Sequence, residues 1–206
     1  MLKQAMRTLT AKRLNNTKIK TMEKYSIAVL VGSLRKESFN LKTAKALIKL
    51  APESLSLEIL EKIADLPMFN EDLEANPPNE WVKFREQIVA ADGLLFLTPE
   101  YNRSVPGFLK NAIDVGSRPY AQNSWNGKPA AIVSVSIGNI SGFGANHHLR
   151  QSLVFVNVPT MPQPEAYIGE AAELFDDNGD LINESTREFL RTFMQAFEKW
   201  VMTHVE

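Results

Sequence analysis

The chain contains no cysteine. Disulfides, thiolate nucleophiles and cysteine-ligated metals are therefore excluded. It has no apolar run approaching the roughly 18–20 residues that a membrane span needs. The first residues lack the apolar core of a secretory signal, so a cytoplasmic location is expected. Internal repeats and low-complexity tracts are also missing. Acidic residues are absent from the first 21 positions, which hold six Lys or Arg, so the remainder sets 17 basic residues against 24 acidic ones, a net of −7. An acidic body argues against a nucleic-acid partner. Residues 1–21 read as a disordered basic extension, as from an upstream start before Met22, or as an organelle transit peptide. They stand outside the fold reading, which assigns 22–206 to one domain.

What remains is ordered punctuation. Short apolar runs, "YSIAVLVGS", "SLEILEK", "DGLLFLTPE" and "PAAIVSVSIG", with a weaker "TMPQPEAYIG", read as five strands. Between them lie helical patterns. Leu41, Ala44, Leu47, Ile48 and Ala51 form one apolar stripe, and Trp81, Phe84, Ile88 and Val89 form another. "GFLKNAIDVGSR", "NHHLRQSLVFVNV" and "TREFLRTFMQAFEKWVMTHV" complete the set. Strands alternating with helices predict parallel βαβ units and a doubly wound α/β sheet covered on both faces. In such a sheet, ligands bind beyond the carboxyl ends of the strands.

Three loops fall at those ends. "GSLRKESFN" follows the first strand. Gly32 permits a tight turn, Ser38 suits a helix N-cap, and the helix start attracts anions. Ser33, Ser38 and Asn40 add neutral donors, and Arg35 adds a planar cation suited to phosphate. A P-loop would need a second glycine before Lys and Ser/Thr, and a dinucleotide fingerprint would need three glycines. Serines in their place suit a single terminal phosphate, as in a mononucleotide. A polar loop before a capped helix, without any ligand, explains the same residues. "TPEYNRSVPG" follows the third strand, with "EYN" on an exposed, stiffened stretch where a planar ligand can lie on the backbone and the Tyr101 ring. Local packing of Tyr101 is the alternative. "SVSIGNISGFG" follows the fourth strand, and its small residues let backbone approach a flat ligand. A merely flexible loop is again the alternative.

No metal is expected. His147 and His148 are adjacent and point in different directions on a helix. "DDNGD" at 176–180 lacks the spacing of a calcium loop and reads as a β-turn. Phe189, Leu190, Phe193, Met194, Phe197, Trp200 and Val201 read as helical core or interface.

Taken together, "GSLRKESFN", "TPEYNRSVPGFLKNAIDVGSR", "SIGNISGFG" and "HHLRQSLVFVNV…PQPEAYIG" resemble the NAD(P)H-dependent FMN reductase family, nearest its bacterial chromate and quinone reductases. The resemblance implies a flavodoxin-like fold, a five-stranded parallel sheet of order 2-1-3-4-5, with FMN as cofactor and NAD(P)H as co-substrate. It implies that Ser33, Arg35, Ser38 and Asn40 hold the FMN phosphate. Pro99, Glu100, Tyr101 and Asn102 would lie along the isoalloxazine, with Ser136 and Gly138 on its other side. Arg118 resembles a family arginine at the subunit interface beside the active site, and Glu165 resembles its acidic counterpart. The implied protein is a homodimer or tetramer passing hydride to quinones, azo compounds or metal oxyanions with ping-pong kinetics. Two other readings stand beside it: a reductase releasing free reduced FMN to a monooxygenase, and a flavodoxin-like electron carrier. This chain departs from its relatives in "ISGFGANHH", where Phe143 replaces a glycine and Asn146 falls where some members carry an arginine. It also departs at Val115, where some carry tryptophan.

Overall fold

The computed structural model describes residues 24–205. The basic extension, expected to be disordered, lies outside the described residues. Five strands, β1 (Tyr25–Val31), β2 (Leu55–Ile59), β3 (Gly93–Thr98), β4 (Ala130–Val135) and β5 (Ala166–Ile168), form one parallel sheet of order β2-β1-β3-β4-β5. Between and after them run α1 (Phe39–Leu50), α2 (Asn79–Ala90), α3 (Gly107–Gly116), α4 (Phe143–Phe155) and α5 (Glu184–Val205). The architecture matches the one expected.

Strand alternation builds two cores. Ile27, Val29, Val31, Leu95, Leu97, Val133 and Val135 face α1 and α5. Ala28, Leu30, Leu94, Phe96, Ala130 and Ile132 face α2, α3 and α4. Both faces being covered explains why β3 and β4 are buried along their whole length, while the edge strand β2 alternates. Burying each large apolar side chain contributes about 1.5–3 kcal/mol. In the second core Trp125 sits edge-on to Phe84 at 5.8 Å and donates from Nε1 to the Ile113 carbonyl at 2.9 Å. Its seat requires Gly116, where an added Cβ would come within 2.5 Å of the indole.

Both expected stripes are buried at most of their positions, Ala44 and Leu47 in α1 and Trp81, Phe84 and Ile88 in α2, but their edges differ. Ile48 and Val89 are exposed, and Thr43 and Ala46 are buried in α1 instead. Thr43 can take its buried place because its Oγ1 donates to the Phe39 carbonyl at 2.8 Å. The 176–180 stretch is the expected turn, closed by Gly179 at φ +81° and a bond from its N–H to the Asp176 carbonyl.

Candidate functional site

β1, β3 and β4 are neighbours in the sheet, so the loops that leave their carboxyl ends lie side by side. The switch point falls between β1 and β3, because the chain leaves β1 for β2 on one side and reaches β3 on the other.

The first loop crosses the end of β3 at close range. The Gly32 N–H donates to the Leu97 carbonyl at 2.7 Å. A Cβ on Gly32 would lie 3.0 Å from that oxygen, 3.0 Å from Leu109 Cδ2 and 3.3 Å from Pro99 Cδ. The glycine is needed for this approach, which joins the first loop to the second; its φ is not left-handed. Ser38 is the N-cap of α1, its Oγ accepting from the Leu41 N–H at 3.1 Å. The first-turn N–H groups of Phe39 and Asn40 find no hydrogen-bond partner among the described residues. Asn40 is 3% exposed, and its Oδ1 is buried without a partner. Ser33 is half-buried and Arg35 exposed, and Glu37 is drawn aside by Lys42 at 3.4 Å.

The second loop is a tight turn. Tyr101 and Ser104 exchange backbone bonds of 2.9 Å, with Asn102 and Arg103 between them at φ +50° and +66°. Pro99 is half-buried and Tyr101 exposed. The Glu100 carboxylate turns away from solvent. One oxygen accepts from the Ala145 N–H at the start of α4 (3.1 Å), and the other pairs with Arg103 Nη1 (3.1 Å). Glu100 thus ties the second loop to α4, where negative charge meets the positive end of the helix. Gly144 makes room for it, since a Cβ there would lie 3.0 Å from Glu100 Oε2. Ser104 Oγ adds a 2.7 Å contact with His148 Nδ1.

The third loop is pinned from within. Ser134 Oγ donates to the Ser141 carbonyl at 2.8 Å, and the Gly138 N–H donates to Ser136 Oγ at 3.1 Å. Gly142 precedes α4 at φ +73°. Buried Asn146 spends its amide inside the chain: Nδ2 lies 3.4 Å from the Ala166 carbonyl, and Oδ1 accepts from Arg150 Nε at 3.0 Å. Arg150 also faces Glu165 at 3.9 Å. Tyr167 Oη lies 3.0 Å from His147 Nε2. Burial, followed by the neighbouring Glu165, pushes the Tyr167 phenol up to about 12, so it stays protonated.

The structure therefore gathers Ser33, Arg35, Ser38, Asn40, Pro99, Glu100, Tyr101, Asn102, Ser136 and Gly138 along one edge of the sheet. It does not bring Arg118 and Glu165 together within the chain. Arg118 lies 2.7 Å from Glu74 and 3.1 Å from Glu71, with its guanidinium 3.9 Å from the Tyr120 ring. The Glu100 tie and the Asn146–Arg150–Glu165 chain leave little mark in the sequence. Their only signal was an acid in one loop and a glycine 44 positions later, at Gly144.

The family model for NADPH-dependent FMN reductases matches residues 25–173. The chain belongs to that family. It is 64% identical over 178 residues to a quinone reductase of Pseudomonas putida, covering 86% of this chain and 95% of that protein. To a 2-hydroxy-1,4-benzoquinone reductase of a Burkholderia species it is 46% identical over 175 residues, covering 85% and 95%. A solved structure of FerB from Paracoccus denitrificans, described as a flavoenzyme NAD(P)H:(acceptor) oxidoreductase, aligns with a TM-score of 0.82 at 45% identity, over 87% of this chain and 98% of that one. The chain is an oxidoreductase of FMN with NAD(P)H as co-substrate.

The residues present fit FMN. The start of α1 holds free N–H donors and a buried amide with an unmet bond, in a loop carrying Arg35 and two serines. The amide ends of Asn40 exchange by a half-turn, so the same buried position can offer an acceptor to a hydroxyl or a donor to a phosphate oxygen.

Proposed function

We propose that this family member is an NAD(P)H-dependent quinone reductase in which Ser33, Arg35, Ser38 and Asn40 hold the FMN phosphate. The observation that carries the reading is the adjacency of three loops from β1, β3 and β4, one end rich in uncommitted donors and the other exposing Tyr101, Ile137 and Ile140. When bound, FMN supplies the two-electron chemistry, taking hydride from reduced nicotinamide and giving it to the acceptor. The protein's part is orientation. The first turn of α1 and Arg35 fix the anionic end. Backbone at Pro99–Asn102 and Ser136–Gly138 brackets the planar end, and the Glu100 tie keeps those two walls at a set distance. N–H groups of the same walls would stabilise negative charge on the ring.

One open face serves both reductant and acceptor, so the spent nicotinamide leaves before the acceptor enters, giving ping-pong kinetics. The exposed Tyr101, Ile137 and Ile140 beside it support contact with flat apolar acceptors such as quinones, and we extend the range to azo compounds and metal oxyanions such as chromate. We further propose a homodimer or tetramer, with Arg118 and Glu165 at subunit contacts, acting in the cytoplasm. Supporting the assembly, Phe155 at the end of α4 is 91% exposed beside exposed Val154. Among the described residues, no helix is long and apolar enough to cross a membrane.

The purified protein should be yellow, bleach anaerobically with NADPH or NADH, and regain colour with benzoquinone. A colourless protein that consumes added FMN would replace this reading with a supplier of free flavin. A yellow protein bleached only by dithionite would make it a carrier.

A further inference from the structure

Arg103 occupies an unusual place. It is the only positively charged residue in the two loops, 99–104 and 136–144, that flank the planar end of the site. Its backbone is left-handed, at φ +66°, directly after Asn102 at φ +50°. Asparagine adopts that conformation readily; arginine does so at a cost. Strain of this kind at a ligand edge points to a side chain wanted there. The turn is over-determined: Tyr101 and Ser104 clamp it by backbone bonds, Ser104 reaches His148, and the Arg103 carbonyl lies 3.3 Å from where a Gly144 Cβ would stand. The side chain is nevertheless 72% exposed. Glu100 holds it through Nη1 alone, so the Nε and Nη2 donors have no partner among the described residues. The guanidinium is therefore positioned on a fixed turn at the mouth of the open face, with half of its donor fork uncommitted.

The ligand that needs such a group is the reductant. A nicotinamide dinucleotide brings an anionic pyrophosphate, and NADPH a further 2′-phosphate, toward a body whose net charge is −7 over residues 22–206. Arg35 lies at the other end of the site and is assigned to the FMN phosphate. We propose that Arg103 binds a phosphate of the incoming nicotinamide dinucleotide and so helps determine reductant affinity and choice. This inference rests on the reading of the site as an NAD(P)H-dependent reductase. Planar, bidentate recognition of phosphate suits arginine better than lysine.

The test is steady-state kinetics of the FMN-loaded enzyme with Arg103→Asn, which keeps a residue at ease in the left-handed turn, and Arg103→Lys, which keeps only the charge. The exposed setting sets the scale: the KM for NADPH should rise about two- to fivefold in Arg103→Asn, and less in Arg103→Lys. It should rise more than kcat falls, while the FMN dissociation constant and melting temperature hold. Added salt should raise the KM of the wild type more than that of the asparagine variant. Equal rises for NADPH and NADH assign the contact to the pyrophosphate; a rise for NADPH alone assigns it to the 2′-phosphate. Unchanged KM for both nucleotides would overturn the proposal. So would a parallel loss of FMN affinity or melting temperature, which would make Arg103 only a clamp for Glu100. A wild-type protein that oxidises neither nucleotide would instead overturn the reading of the site.

Discussion

Asn40→Ala separates stability from function, because the two should move in opposite directions. In the free protein Asn40 Oδ1 is buried and unpaired. An unmet buried polar atom costs about 1–3 kcal/mol. Alanine removes it and gains roughly 0.5 kcal/mol of helix propensity in the first turn of α1. Against this stands a void of roughly 25 Å³, costing about 0.6 kcal/mol. The balance favours the variant by about 1–3 kcal/mol, a rise of roughly 2–12 °C in the melting temperature of the flavin-free protein for a domain of this size. Binding should suffer, since the same side chain would then offer nothing to FMN. Loss of one such bond weakens affinity by about 1–2 kcal/mol, or five- to thirtyfold. Calorimetry of flavin-free protein and a fluorescence titration with FMN measure the two quantities independently. A flavin-free variant that melts lower, with an unchanged FMN dissociation constant, would refute the reasoning and make Asn40 a packing residue.

Arg35→Ala should weaken FMN binding about tenfold in a protein that melts as the wild type does, because the side chain is exposed and makes no ion pair among the described residues; an unmoved dissociation constant would count against its phosphate role. Glu100→Ala should cost about 1 kcal/mol in urea unfolding, from the lost hydrogen bond and charge at the α4 start, with Glu100→Gln in between because its Oε1 can still accept from the Ala145 N–H. Equal midpoints for all three proteins would show that the tie carries no stability. Tyr167→Phe tests the alkaline range. The folded phenol is held at about 12, above its ordinary value of 10.0. Its contribution is therefore complete below pH 10 and declines as pH climbs toward 12, where the unfolded chain releases the proton first. The wild type should lose urea stability relative to Tyr167→Phe across that window, and parallel curves would show that the phenol is not held up.

How much of this was legible in the sequence follows from the range of the interactions. The sheet was readable because alternation and helix stripes are local patterns: the short, apolar, turn-bounded "GLLFLT" and "AAIVSV" read as strands covered on both faces. Capping was readable for the same reason, since Ser38 and the Leu41 N–H are three residues apart. The burial of Thr43 was not, because its hydroxyl bonds the Phe39 carbonyl at 2.8 Å, which lets a polar residue take an apolar position. Gly32 was identified for the wrong reason. A turn glycine and a close-approach glycine look alike in a chain, and only the Leu97 carbonyl beside it tells them apart.

The site divides along the same line. Its loops were found because parallel strands place their carboxyl ends together whatever the side chains do. The division of labour within the loops depends on contacts across the sheet. Glu100, grouped with the flavin-facing residues, directs its carboxylate to an N–H 45 residues away. If Pro99–Asn102 form a wall of the FMN site as proposed, that wall is backbone, and side-chain identity there should matter less than its spacing from the third loop. Asn146 gives a second case. A fully buried asparagine bridges the Ala166 carbonyl and Arg150, and Arg150 rather than Arg118 meets Glu165 inside the chain. Any role for Glu165 in joining subunits must then compete with Arg150, at 3.9 Å a loose partner that an incoming cation could displace.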